Sequence, residues 1–381
     1  MPHDNIVFHS MLKLLPWDAF EAAVEQHATR VHPRGFSDKS HLVAMLYAQF
    51  AGASSLREIE AGLQSHATRL YHLGARPPRR SSLADANRDR PVAVFTDLLA
   101  ATIRCAHRGL RRAMDGAVYL IDSTSLTLTA RSDWARFSDE VCAVKTHVIY
   151  DDAADCPIYA VVSTANVNDI TAAKAMPIVK RATYVYDLGY YDYRWWAELV
   201  AAECRIVTRL KSNTTLTVTR TLPVAAAGPI LSDCIGKLPA RQAASRRNPL
   251  QGEVREVRVR IETGKVLRIL TNDLEASAQE IADLYKRRWG IELFFRWIKQ
   301  TLKITRFLGT SDNAVRIQVA VALIAFLLLR MAQKLQTAVR SPLGFARLVK
   351  LNVMQPRRLD QLHRPPPKAL GCPGQGALCL P

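Results

Sequence analysis

Apolar positions recur at helical spacing through the first 112 residues and at strand spacing after residue 116, so the chain reads as a helical segment followed by a mixed sheet. Ser37-Asp38-Lys39-Ser40 gives a helix start before the apolar-rich run His41 to Phe50. Gly52-Ala53-Ser54-Ser55 then gives a stop and a new start before Leu56 to Leu63. Two short helices joined by a Gly/Ser turn fit a helix-turn-helix in length, and fit a plain helical bundle equally well. After the basic loop Arg76-Pro77-Pro78-Arg79-Arg80, Ser82 reads as the N-cap of a polar helix reaching Arg90, either a groove-binding helix or a solvated face.

From 116 onward the period is that of strands. Ala117 to Ile121 is an apolar run ending in Asp122, Lys145 to Tyr150 and Ile158 to Ser163 form a hairpin around an Asp-rich turn, and Thr183 to Tyr186 ends in Asp187. Asp169 is expected to cap a helix running to Lys180. A second helix, Trp195 to Ala202, precedes a fifth strand, Cys204 to Leu210. Three strands, helix, strand, helix, strand is a mixed α/β sheet. Between about 211 and 272, alternating pieces read as half-exposed antiparallel strands, a β insertion that also carries Arg241, Arg246 and Arg247. The run Ile317 to Leu329, interrupted by Gln318 and bounded by Arg316 and Arg330, is too short to span a bilayer and predicts a buried helix. From about 355 the Pro/Gly-rich tail is expected to be unstructured. The expected division is therefore 1–112 helical, 113–335 mixed sheet, and 336–381 a C-terminal helix and tail.

Charge narrows the partner. With 52 Lys+Arg against 34 Asp+Glu and a formal net charge of +18, the chain is suited to a polyanion such as nucleic acid; the plainer alternative is a generally basic surface. Seven scattered cysteines with no C-x-x-C pair argue against a disulfide framework or a zinc module and fit a reducing cytosol. The N-terminus shows no signal-peptide pattern, so a cytoplasmic protein with no membrane association is expected.

The candidate chemistry centres on Tyr285 to Lys299. Placed on one continuous helix, Tyr285, Arg288, Glu292 and Lys299 share an arc of roughly 60°, with Lys303 beside them, while Leu284, Ile291, Phe294, Phe295 and Ile298 form the apolar face. A lone carboxylate in a basic stripe calls for a metal ion or for further carboxylates. Asp122 and Asp187, each closing an apolar strand, supply two. Three carboxylates from two strand ends and a helix make an oxygen donor set suited to Mg2+ and to two-metal phosphoryl transfer. Each Asp taken alone reads first as a turn former, and it is the joint pattern that points to a ligand set. His147 is expected to be structural, Asp151, Asp152 and Asp155 to be solvated turn residues, and Asp169 a cap. Ser123 and Ser125 lack the G-x-S-x-G elbow of a hydrolase.

Tyr285-x2-Arg288-x3-Glu292-x6-Lys299 resembles the Y-R-E-K signature of the insertion-sequence-4 family of bacterial DDE transposases. The segments Leu120-Ile121-Asp122, Ala165-Asn166-Val167-Asn168-Asp169, Asp187-Leu188-Gly189-Tyr190 and Gly309 to Arg316 are similar to that family too, over roughly residues 35 to 335. The resemblance implies an RNase H-like core interrupted by the β insertion, and a helical N-terminal domain that binds DNA. It implies Asp122, Asp187 and Glu292 as a catalytic, metal-binding triad with two Mg2+ or Mn2+ ions. It also implies Tyr285, Arg288 and Lys299 as contacts to transposon-end phosphates, and a homodimer assembled on double-stranded DNA. Trp289 and Trp297 are candidates for stacking a flipped base, or simply packing residues. A nuclease or resolvase on the same fold, and a catalytically inactive DNA-binding regulator, are the rival readings.

Overall fold

The computed structural model describes residues 6–27, 35–110, 116–302, 304 and 306–365; Lys303 and the tail from 366 lie outside the described residues. Seven helices come first: α1 (Val7–Leu12), α2 (Trp17–His27), α3 (Asp38–Ala51), α4 (Leu56–Gln64), α5 (Ala67–Leu70), α6 (Arg80–Asp89) and α7 (Val92–Leu110). The expected starts are present. Ser37 Oγ accepts from the Ser40 N–H at 3.1 Å and Ser55 Oγ from the Glu58 N–H at 3.2 Å, while Gly52 takes the left-handed φ of 69° that ends α3. α6 begins two residues before Ser82, without a side-chain cap, because the helix starts as soon as the chain leaves the extended Pro77-Pro78 pair. Nearly all of α3 is buried, so it serves as a core helix and offers no face to a groove.

Strands β1 (Val118–Leu128), β2 (Cys142–Asp151), β3 (Cys156–Thr164), β4 (Thr183–Tyr186) and β5 (Arg205–Arg209) follow, with α8 (Asp169–Lys174) and α9 (Tyr193–Ala201) between the last three. β1 does not stop at Asp122. Its Ser/Thr-alternating continuation pairs along the whole of β2, as far as Leu128 opposite Cys142. α8 is one and a half turns long rather than reaching Lys180, since Pro177 forbids its continuation.

The alternating segment yields β6 (Thr217–Leu222), β7 (Ile230–Lys237), the short β8 (Arg241–Ala243) and β9 (Arg246–Arg247), β10 (Val254–Arg260) and β11 (Val266–Thr271). β11 hydrogen-bonds antiparallel to β5, so this insertion extends the main sheet. The result is one nine-stranded sheet in the order β3-β2-β1-β4-β5-β11-β10-β7-β6, in which only β1, β4 and β5 run parallel. Edge pairing explains the continuity, because an uncovered β5 would leave a ladder of N–H and C=O groups unpaired.

α10 (Ala278–Arg287), α11 (Trp289–Thr301), α12 (Asp312–Lys334) and α13 (Pro342–Asn352) complete the chain. α12 is the one helix among the described residues long and apolar enough to cross a membrane, and 83% of its most apolar window is buried inside the fold. It joins the N-terminal helices, one face of the sheet and α11 in a single hydrophobic cluster. A second cluster, rich in Tyr and Trp, lies between the opposite face and α8 and α9. Residues 355–365 are ordered turns, and Pro356 bridges to Ile6; the expected unstructured tail therefore cannot begin before residue 366.

Candidate active site

Side chains alternate along a strand, and the two clusters show which way each residue points. Leu120, Val185 and Val207 belong to the cluster under α10 to α12, whereas Ile121, Tyr186 and Ile206 belong to the Tyr/Trp cluster behind the sheet. Two residues after each of the first set come Asp122, Asp187 and Arg209. These project toward the helices from the ends of three adjacent parallel registers, β1 beside β4 (Ile121↔Tyr186) and β4 beside β5 (Val185↔Val207). The Asp122 Oδ1 accepts the Ser123 N–H and the Asp187 Oδ1 accepts the Gly189 N–H, both at 2.8 Å, which fixes each carboxylate against its own backbone.

Glu292 reaches this row from α11. Between α10 and α11 Arg288 alone departs from the regular helix, with tight three-residue hydrogen bonds on either side, yet it keeps helical dihedrals (φ −51°, ψ −28°), so the expected stripe runs on with a local irregularity. Arg288 points inward here. Its guanidinium lies 3.3 Å from Asp122 Oδ2 and 2.6 Å from Glu292 Oε1, so one cation spans two acids. Gly290 packs closely on β1, where a Cβ would sit 3.3 Å from Leu120 Cδ1. With Arg288 between them the carboxylates do not close on one point, and among the described residues no three His, Cys, Asp or Glu side chains are spaced to hold an ion.

The three acids nonetheless act on one another electrostatically. Burial pushes the Asp122 carboxyl up to about 6, with the like charges of Asp187 and Glu292 adding to the rise, against the Ser123 N–H and Arg288. Oxygen donors gathered under like-charge strain, partly neutralised by a guanidinium, suit a hard divalent ion. A stability effect follows. The raised carboxyl binds its proton more tightly folded than unfolded, so its contribution is present below about pH 4 and lost as pH rises through about 6. Asp122→Asn is expected to stabilise the ion-free protein at pH 7.5 by about 3 kcal/mol at most, a gain absent at pH 4. Thermal melts in chelator at the two pH values check this, and a lower melting temperature for the variant at pH 7.5 would contradict it.

The other expected site residues are placed as follows. Tyr285 is buried at 7% exposure, with the Arg288 guanidinium 5.9 Å from its ring centroid. Lys299 is half-buried, and burial pulls its ammonium down. Trp289 is 55% exposed one turn before Glu292, whereas Trp297 packs edge-on to Phe326 at 4.9 Å, so of the two only Trp289 presents its ring largely to solvent. The Asp-rich turn is solvated only in part: Asp155 is exposed as expected, Asp152 is half-buried and Asp151 is buried. Asp151 is buried and bonds His107 at 2.8 Å, Asp152 lies 3.5 Å from Arg287, and Asp155 lies 2.6 Å from Arg330, tying the turn to α7, α10 and α12. His147 is buried with Nε2 2.8 Å from Ser163 Oγ. Asp169 is not a cap: Asn168 holds that position, and the Asp169 carboxylate turns back to Ser123.

Arg209 is the residue the sequence reading passed over. Its Nε is buried without a hydrogen-bond partner, and among the described residues it makes no ion pair. The available signal was positional, because Arg209 ends the fifth strand at the same offset at which Asp187 ends the fourth.

Residues 114–328 match the family model of the transposase DDE domain, and residues 3–76 match a domain of unknown function, DUF4372. A Sinorhizobium fredii protein whose name calls it a transposase, y4zB, is 39% identical over 290 residues, covering 76% of this chain and 82% of its own. A Geobacillus stearothermophilus protein named as a transposase for the insertion sequence element IS5377 is 30% identical over 255 residues, 66% of each chain. A piggyBac transposase synaptic complex with hairpin DNA aligns over 91% of the chain at 11% identity and a TM-score of 0.45, too loose a likeness to carry a functional conclusion. On the domain match and the Sinorhizobium relative, the chain belongs to the DDE transposase family.

Proposed function

We propose that Asp122, Asp187 and Glu292 are the catalytic acids of an insertion-sequence transposase, which cleaves DNA at the ends of its element and joins them to a target. The observation that carries this reading is the row of Asp122 and Asp187 at adjacent strand registers, with Glu292 brought to it on α11 and linked to Asp122 through Arg288. The family's chemistry depends on divalent metal. The three carboxylates are the groups that would hold it here, as Mg2+ or Mn2+ and as a pair of ions. Bound there, such ions activate water or a 3′ hydroxyl and stabilise the leaving oxygen of an in-line displacement.

Arg288 does two jobs in sequence. Without DNA its guanidinium neutralises Asp122 and Glu292; a DNA phosphate entering beside it would compete for the same donors and release both carboxylates, the groups that would hold the metal. Tyr285, Arg209 and Lys299 extend the phosphate-holding surface around it, and the helical residues 1–112 contribute further DNA contacts. Two element ends must be held together, so the active form is a homodimer on double-stranded DNA. The Y-R-E-K spacing favours the insertion-sequence-4 branch of the family. Incubation with Mg2+ and a duplex carrying the element's terminal inverted repeats is the test. Cutting at the repeat boundary followed by joining to a second duplex is expected, and cutting without joining would point to a nuclease.

A further inference from the structure

The two strand-borne acids share a support behind the sheet. Asp122 faces the helices, so its neighbour Ser123 faces the other way, and the Ser123 Oγ donates to Asp169 Oδ1 at 2.7 Å. The same residue's N–H is the donor that fixes Asp122 Oδ1. Asp169 therefore holds the peptide that orients Asp122. It also backs the loop after Asp187: a Cβ placed on Gly189 would lie 3.1 Å from Asp169 Oδ2 and 3.1 Å from Asp187 Oδ1, so the bare glycine packs directly against Asp169. The Gly189 N–H in turn fixes Asp187 Oδ1. Each acid thus takes its backbone hydrogen bond from a residue that Asp169 touches.

The surroundings hold Asp169 in place. Lys145 Nζ is 3.3 Å from Oδ1, and the fully buried His147 brings Nδ1, which has no hydrogen-bond partner, to 3.6 Å from the same oxygen. Both come from β2, where His147 stands directly opposite Ser123. Neither the acids' own helix face nor the Arg288 bridge needs this cluster, and a capping role is excluded by the position of Asn168.

We propose that Asp169 is a positioning residue: through Ser123 and Gly189 it sets the spacing of Asp122 and Asp187 without touching metal or DNA. The proposal rests on the reading of those two acids as metal ligands. Outer partners of metal ligands typically contribute about 10- to 100-fold in metal affinity or activity. Asp169→Ala is expected to lower single-turnover cleavage in that range and to weaken Mn2+ binding, read by electron paramagnetic resonance on the DNA-bound protein, while end binding stays within about twofold. Asp169→Asn keeps an oxygen able to accept from Ser123 and should recover part of both losses. Ser123→Ala should reproduce a large part of the Asp169→Ala defect, and the double variant should be no worse than Asp169→Ala alone. Near-wild-type cleavage and Mn2+ binding in Asp169→Ala would overturn the proposal, as would losses that multiply in the double variant. Asp122→Asn run alongside separates the two claims. If it retains Mn2+ binding and cleavage, the metal-site reading and this proposal fall together; if it is inactive while Asp169→Ala is normal, only the positioning role falls.

Discussion

Asp187→Asn is expected to lose metal-dependent cleavage of its DNA ends by about a thousandfold or more, while binding those ends at least as tightly as the wild type. The magnitude follows from removing one carboxylate ligand, since metal stabilisation of the transition state supplies several kcal/mol and each 1.36 kcal/mol is tenfold in rate. The binding half follows from charge. Asp187 projects beside Asp122 into a site where phosphate must enter, and neutralising it removes a repulsion. The folded state should tolerate the change, because an Asn Oδ1 can still accept the Gly189 N–H that now bonds the carboxylate at 2.8 Å. Single-turnover cleavage and fluorescence anisotropy on the same duplex measure both halves. Cleavage within tenfold of wild type would remove Asp187 from the catalytic set.

The largest effect on stability is expected at Phe326. This α12 side chain is 4% exposed and stands edge-on to Phe294 at 5.0 Å and to Trp297 at 4.9 Å, both on the helix that carries Glu292. Phe326→Ala should cost about 3–5 kcal/mol from lost burial and the cavity left behind, and Phe326→Leu considerably less. Because the same ring forms one wall of the seat for α11, the alanine variant should also lose about tenfold or more in cleavage at temperatures where it remains folded, through misplacement of Glu292. Thermal melts paired with cleavage assays check this. A melting temperature equal to wild type would show that α11 is held by something other than this contact.

Much of this arrangement was legible in the chain. Caps at Ser37 and Ser55, the apolar run that became α12, and the strand end at Asp187 follow from local chemistry that tertiary structure left in force, whereas Asp122 lies within β1, which runs on to Leu128. What was not legible depends on contacts between distant segments. Periodicity places Arg288 and Glu292 on one helical face, but the bridge to Asp122 was not legible because that acid lies on β1, 166 residues away. The burial of Asp151 was not legible because its partner His107 lies far away in sequence, as do Arg287 and Arg330, which pair with Asp152 and Asp155. Asp169 looked like a cap for the same reason, since Ser123, Lys145 and His147 are brought to it only by β1 and β2. The insertion's strands were readable as strands, but their union with β5 was not, because edge pairing leaves no mark on alternation.

The central claim is that Asp122, Asp187 and Glu292 act as one metal-dependent centre for DNA joining. Strand transfer of a pre-cut element end into a second duplex tests it most directly, because the step requires a 3′ hydroxyl and metal and bypasses the first nick. The wild-type protein with Mg2+ should give joined product, and Asp122→Asn, Asp187→Asn and Glu292→Gln should each give none while still binding the end. Joined product from any of the three at near wild-type yield would contradict the account.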